Sequence, residues 1–186
     1  MNLDSLTCST HGWLGHFGIH EAGHAVAAIV LGFDFVELSI TPGHDVYRAM
    51  VLGQSVIGAG LLMAADQPAE WIGPRHDDAL TFMLAGSLAE REILQDFLPG
   101  GYEGDLAVWR RGTGRFGAQT QELKPALAAG VSRATVLVRE NRDAIVRVYK
   151  LIIDRVPTDG HGVHLGFDEP LILSSEAIRA AALNAG

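Results

Sequence analysis

Residues 20–24 read His20-Glu21-Ala22-Gly23-His24, and this pentapeptide constrains the local fold more than any other stretch. For its two imidazoles to act together they must lie one helical turn apart, where positions i and i+4 share a face. The flanking residues suit a helix from about Ile19 to Leu31. Val26, Ala27, Ile29, Val30 and Leu31 favour burial, and Gly32 stands where a left-handed residue ends a helix. A helix this apolar belongs in the interior, where its side chains are held rigidly. His20 and His24 can then aim at one point, with Glu21 near enough to reach a water held there. Two imidazoles and a carboxylate base are the components of metal-assisted hydrolysis, and HExxH is the zinc-protease signature. The reading is therefore His20 and His24 as zinc ligands and Glu21 as the catalytic base.

The rest of the chain must accommodate this helix. Its 186 residues suffice for one compact domain. The 14 basic and 22 acidic residues leave a net charge of −8, which argues against a nucleic-acid surface and against docking on an anionic membrane. Cys8 is the only cysteine, so no internal disulfide is possible and a cytoplasmic location is expected. The first residues carry neither a basic segment nor an apolar run, so no signal peptide is expected. The most apolar stretch, Val51 to Ala65, is short and broken by glycines, and reads as buried core or a buried strand and turn rather than a membrane span.

Residues 1–18 read as a loose N-terminal lead-in, and residues 19–186 as the domain. Phe35 to Ile40 alternates as a strand, Thr41-Pro42-Gly43 as a turn, and Tyr47 to Leu52 as a partner strand. Residues 66–76 read as a loop. Asp77 or Asp78 is predicted to cap a helix running to about Gln95. A short helix over Asp105 to Arg111 follows the break at Pro99-Gly100-Gly101. Lys124 to Arg155 is predicted helical in two pieces meeting near Asn141, residues 157–170 as loop, and Ser174 as the cap of a last helix to Leu183. The class is mainly α with a small β-hairpin or sheet.

A catalytic zinc site needs a third protein ligand. Downstream carboxylates and the remaining histidines are all candidates, and spacing does not choose among them. His16 lies four residues before His20 and could extend the ligand row, but Gly18 between them argues that the helix has not yet begun, so His16 reads as a loop residue. His11, His44 and His76 read as surface residues, and His161 and His164 as loop histidines.

Several stretches resemble, in order, the FtsH-type AAA-linked zinc metallopeptidases. His20-Glu21-Ala22-Gly23-His24-Ala25-Val26 resembles the family's first motif. Leu84-Ala85-Gly86-Ser87-Leu88-Ala89-Glu90 resembles its LGGxxAE helix, with Ser87 where the family has arginine. Gly101-Tyr102-Glu103-Gly104-Asp105-Leu106 resembles the segment that supplies the third zinc ligand. Asn141-Arg142 and Leu173-Ser174-Ser175-Glu176-Ala177-Ile178 are similar to its C-terminal end. The resemblance implies a zincin-like FtsH peptidase-domain architecture, zinc as cofactor and Asp105 as third ligand. It implies a supporting role for Glu90, accepting the far ring N–H of a ligating imidazole. From the residues alone, Asp105 could equally be a helix N-cap, and Glu90 a rival ligand or a solvated carboxylate.

The resemblance stops at the peptidase part. The only lysines, Lys124 and Lys150, lie in no GxxxxGK[ST] loop, so this chain carries no P-loop ATPase. The expected activity is ATP-independent cleavage of peptides or unstructured protein segments. The resemblance also raises a homo-oligomer or a separate ATPase partner. Two rivals stand beside it: a small regulatory protease cleaving one repressor or antitoxin, and a non-catalytic zinc-stabilised module that binds a partner. The Phe35–Ile40 strand could offer an edge to an extended peptide, but plain sheet core is the preferred reading.

Overall fold

The computed structural model describes residues 12–41, 59–64, 68–96, 101–115, 120–156 and 169–183. The predicted strand Tyr47 to Leu52 lies outside these, as do Cys8, His11, His44, His161 and His164.

The fold is mainly helical with one small antiparallel sheet. Helix α1 (Gly12–Leu31) leads to β1 (Phe35–Ile40) and β2 (Ala59–Met63). Then come α2 (Pro68–Ile72), a 3-10 turn (Gly73–Arg75) and α3 (His76–Ala89), which runs into a π turn (Glu90–Leu94). Helices α4 (Glu103–Gly112), α5 (Thr120–Glu140) and α6 (Arg142–Ile153) follow, and β3 (Leu171–Ser174) and α7 (Ser175–Leu183) close the described chain.

Helix α1 is the axis of the molecule. From Gly18 to Ala28 every residue is buried, so it has no solvent face. It packs against α3 on one side and α6 on another, and α3 in turn packs against α5. The helix ends as Gly32 implies. Gly32 has φ +69°, its N–H donates to the Ile29 carbonyl at 3.2 Å, and the Phe33 N–H donates to Ala28 at 2.8 Å. This is the Schellman arrangement, and the left-handed residue favours glycine.

The start of α1 differs from expectation. The helix begins at Gly12, so residues 12–18 are not a lead-in and His16 is not a loop residue. Glycine costs a helix about 1 kcal/mol against alanine. Here packing overrides that cost: a Cβ on Gly18 would stand 2.9 Å from the Tyr149 ring of α6. The glycine lets the aromatic ring lie on the helix backbone.

The sheet order is β2-β1-β3, antiparallel throughout. Leu38 pairs with Leu61 and with Leu173, and Leu38, Ile40 and Leu173 are buried beneath the sheet. The partners of β1 among the described residues are Ala59–Met63 and Leu171–Ser174, and β1 is the central strand. Of the two readings of Phe35–Ile40, plain sheet core holds and the free edge does not, because both of its edges already carry ladder partners. Strand β3 has four residues, too few to show alternation in the sequence.

Residues 68–75 are helical rather than loop. Pro68 opens α2, where its missing N–H costs nothing, and Ile72 is fully buried. The break near Asn141 falls as predicted, between α5 and α6, with the Asn141 side-chain amide donating to the Leu137 carbonyl at 2.9 Å. Ser174 does cap α7, its Oγ accepting from the Ala177 N–H at 3.3 Å. Among the described residues no helix is long and apolar enough to cross a membrane.

Candidate metal centre

The site forms where α1 crosses α3, and small residues bring the two backbones together. A Cβ on Gly23 would meet Ala89 Cβ at 2.7 Å and the Ala85 carbonyl oxygen at 2.8 Å. A Cβ on Gly86 would stand 2.6 Å from both His20 Cδ2 and His24 Nε2. Gly86 is thus the floor on which both imidazoles rest, and any side chain there would occupy the site.

The third group arrives on α4. Trp109, buried one turn beyond Asp105, donates its indole N–H to the His76 carbonyl at 3.0 Å and ties α4 to the start of α3. Asp105 is the third residue of α4, not its N-cap, and it makes no capping hydrogen bond. Its carboxylate turns to α1 instead, with Oδ2 3.3 Å from His20 Nε2 and 3.3 Å from His24 Nε2. The two Nε2 atoms are 3.0 Å apart.

Three donor atoms therefore form a nearly equilateral triangle. Tetrahedral zinc with bonds of about 2.0–2.1 Å separates its ligand atoms by roughly 3.3 Å. The spacing fits such an ion, as does the chemistry of two imidazoles and one carboxylate. The far ring nitrogens are engaged elsewhere. His24 Nδ1 donates to the Phe82 carbonyl at 2.9 Å, and since a carbonyl only accepts, the proton of a neutral ring sits there. His20 Nδ1 donates to Glu90 Oε1 at 2.6 Å. Both rings thus direct Nε2 lone pairs at the centre of the triangle, and His24 also packs against the Phe82 ring.

Without a bound ion, a proton takes its place on His20. Burial alone would pull His20 down, but hydrogen bonds to Asp105 and Glu90 and the charge of Glu21 outweigh it and raise its pKa from 6.5 to about 10. Burial tends to raise Asp105, yet the neighbouring His24 and His20 hold its carboxyl well below the usual range. The cluster favours positive charge at its centre. Burial pushes Glu21 up from its ordinary value. Glu21 is buried, and among the described residues its Oε2 has no hydrogen-bond partner.

Glu90 is neither a solvated carboxylate nor a ligand at the triangle. It is 1% exposed and sits on the ring nitrogen of His20 that points away from Asp105. It stands at the head of the π turn, a wider turn that recurs at functional sites. His16, fully buried, donates from Nδ1 to Glu90 Oε2 at 2.6 Å. Its i−4 spacing from His20 pointed to this histidine, but Gly18 between them led to its reading as a loop residue. His76 is exposed, as expected.

No model of a known protein family matches the chain, and no curated protein matches it.

Proposed function

We propose that the protein is a zinc-dependent metallopeptidase that hydrolyses peptide bonds in peptides or unstructured segments. The observation that carries the proposal is the triangle of His20 Nε2, His24 Nε2 and Asp105 Oδ2, with both far ring nitrogens already hydrogen-bonded. His20, His24 and Asp105 would hold the ion. Zinc bound by such a ligand set supplies Lewis acidity to a carbonyl and to water.

The chain's own residues do the rest. Glu21 is suited to take a proton from the attacking water and deliver it to the leaving amine nitrogen. Its raised pKa brings it nearer the range where a carboxylate can both accept and return a proton. Glu90 and the Phe82 carbonyl hold the two imidazoles in orientation. Three short stretches that resemble FtsH-type motifs meet at this one point, which supports the zincin-like reading. The substrates proposed are peptides and segments already unfolded, and a homo-oligomer or a separate ATPase partner belongs to the same reading.

The test is metal content and peptide cleavage of the wild type and of Glu21→Gln. Zinc retained with cleavage reduced at least about 100-fold is expected for loss of a general base. Unchanged cleavage in Glu21→Gln would sink the mechanism. Zinc binding without turnover in the wild type would favour the partner-binding module instead.

A further inference from the structure

Histidines recur at i, i+4 and i+8 along α1, but His16 stands apart from the ligand triangle. It is 0% exposed, and its Nδ1–H reaches the same carboxylate that holds His20. The two donors split the Glu90 carboxylate between them, His16 on Oε2 and His20 on Oε1, each at 2.6 Å. The terminal torsion of a glutamate is broad, so a carboxylate held by one oxygen can rotate. Rotation would carry Oε1 off the His20 ring. Two donors one helical turn apart on the same rigid helix remove that freedom. The other ring nitrogen of His16, Nε2, lies 3.9 Å from Asp96 Oδ2, beyond hydrogen-bond distance, so the bond the ring makes to Glu90 is through Nδ1. A histidine that only filled space would not need this alignment.

We propose that His16 is a positioning residue: by holding Glu90 Oε2 it fixes Oε1 on His20 and so sets the orientation of that ring toward the metal. The proposal rests on the metal-site reading above. Its distinctive content is the location of one N–H. Asparagine can place an amide N–H where Nδ1 stands, whereas glutamine places it near Nε2.

The test uses the full chain, with zinc affinity measured by competition with a chelator and cobalt(II) absorption as a report on ligand orientation. His16→Asn is expected to stay within about 3-fold of wild type, while His16→Gln and His16→Phe weaken zinc by about 10–100-fold and shift the cobalt bands. Wild-type affinity in all three variants would overturn the proposal, and so would equal losses in His16→Asn and His16→Gln. If His16→Phe does not fold, the asparagine–glutamine comparison decides alone, since both keep a polar amide. A wild-type protein that takes up neither zinc nor cobalt would overturn the metal reading and this inference together. A wild type that binds, with His16→Asn no better than His16→Gln, would overturn this inference alone.

Discussion

Glu90 and Glu92 lie two positions apart on the same π turn, and their surroundings make them different groups. Glu90 is buried and accepts from two imidazoles of α1. Glu92 lies at the surface, where Arg139 approaches at 2.7 Å and Arg91 at 3.2 Å. The Arg139 hydrogen bond holds Glu92 below the usual carboxylate range, with Arg91 adding to it. Arg139 is 66% exposed, so water and salt can replace what the pair provides. The imidazole N–H groups on Glu90 have no such substitute. Removing a buried partner leaves unsatisfied groups behind, at a cost of about 1–3 kcal/mol each. The hydrogen bonds differ little in length; burial decides their worth.

The largest expected effect comes from filling the floor of the buried side. Gly86→Ala puts a Cβ 2.6 Å from His24 Nε2, so an imidazole or a helix must move. Loss of zinc binding is expected, with a stability cost of about 1–3 kcal/mol from overpacking. Chelator competition and a thermal melt check both, and a variant that binds zinc normally would mean the α1–α3 crossing is looser than its contacts imply.

Glu90→Gln comes next. The amide can accept on one side only, so one imidazole N–H loses its partner. Zinc affinity is expected to fall about 10–100-fold. Retained affinity would remove the contrast with Glu92 altogether.

A smaller effect, and one with a definite sign, concerns pH. In the metal-free protein His20 has its pKa raised to about 10 from 6.5. Its contribution to stability is therefore fully present below about 6.5 and is lost as pH rises through about 10. Glu21 is raised as well, so its contribution also belongs to the acid side and declines as pH rises above the ordinary carboxylate value. Zinc takes the place of the His20 proton. The increase in Tm on adding zinc should therefore grow between pH 6.5 and 9. Melting curves at several pH values with and without zinc measure it, and a shift that shrinks over that range would contradict the assignment of His20.

The smallest effect is expected for Glu92→Gln. Its lowered pKa gives a contribution present above the ordinary carboxylate value and lost as pH falls through the lowered one. At neutral pH the Tm is expected to move little and zinc affinity not at all. A zinc defect here would show that the two glutamates are coupled through the π turn.

What was legible in the sequence was local. The i, i+4 pair of His20 and His24 needs only helical geometry, and Gly32, Ser174 and Asn141 mark ends that a few neighbouring residues determine. The class, helices with a small sheet, follows from periodicity in the same way. Other features could not be read because their causes lie elsewhere in the chain. Periodicity could show Phe35–Ile40 to be a strand, but only β2 and β3 make it a central one. Gly18 looks like a helix breaker until Tyr149 packs on it, and with the helix extended to Gly12, His16 becomes a buried donor. Asp105 is 85 positions from His20, and nothing local distinguishes it from a capping residue. Its carboxylate faces the imidazoles because Trp109 anchors α4 to α3, while Gly23 and Gly86 let α3 close on α1. The sequence by itself determined two imidazoles and a carboxylate on one helix, since a 3.6-residue period is a property of the backbone. The tertiary structure decided which distant groups complete them, since that depends on how closely separate helices can pack.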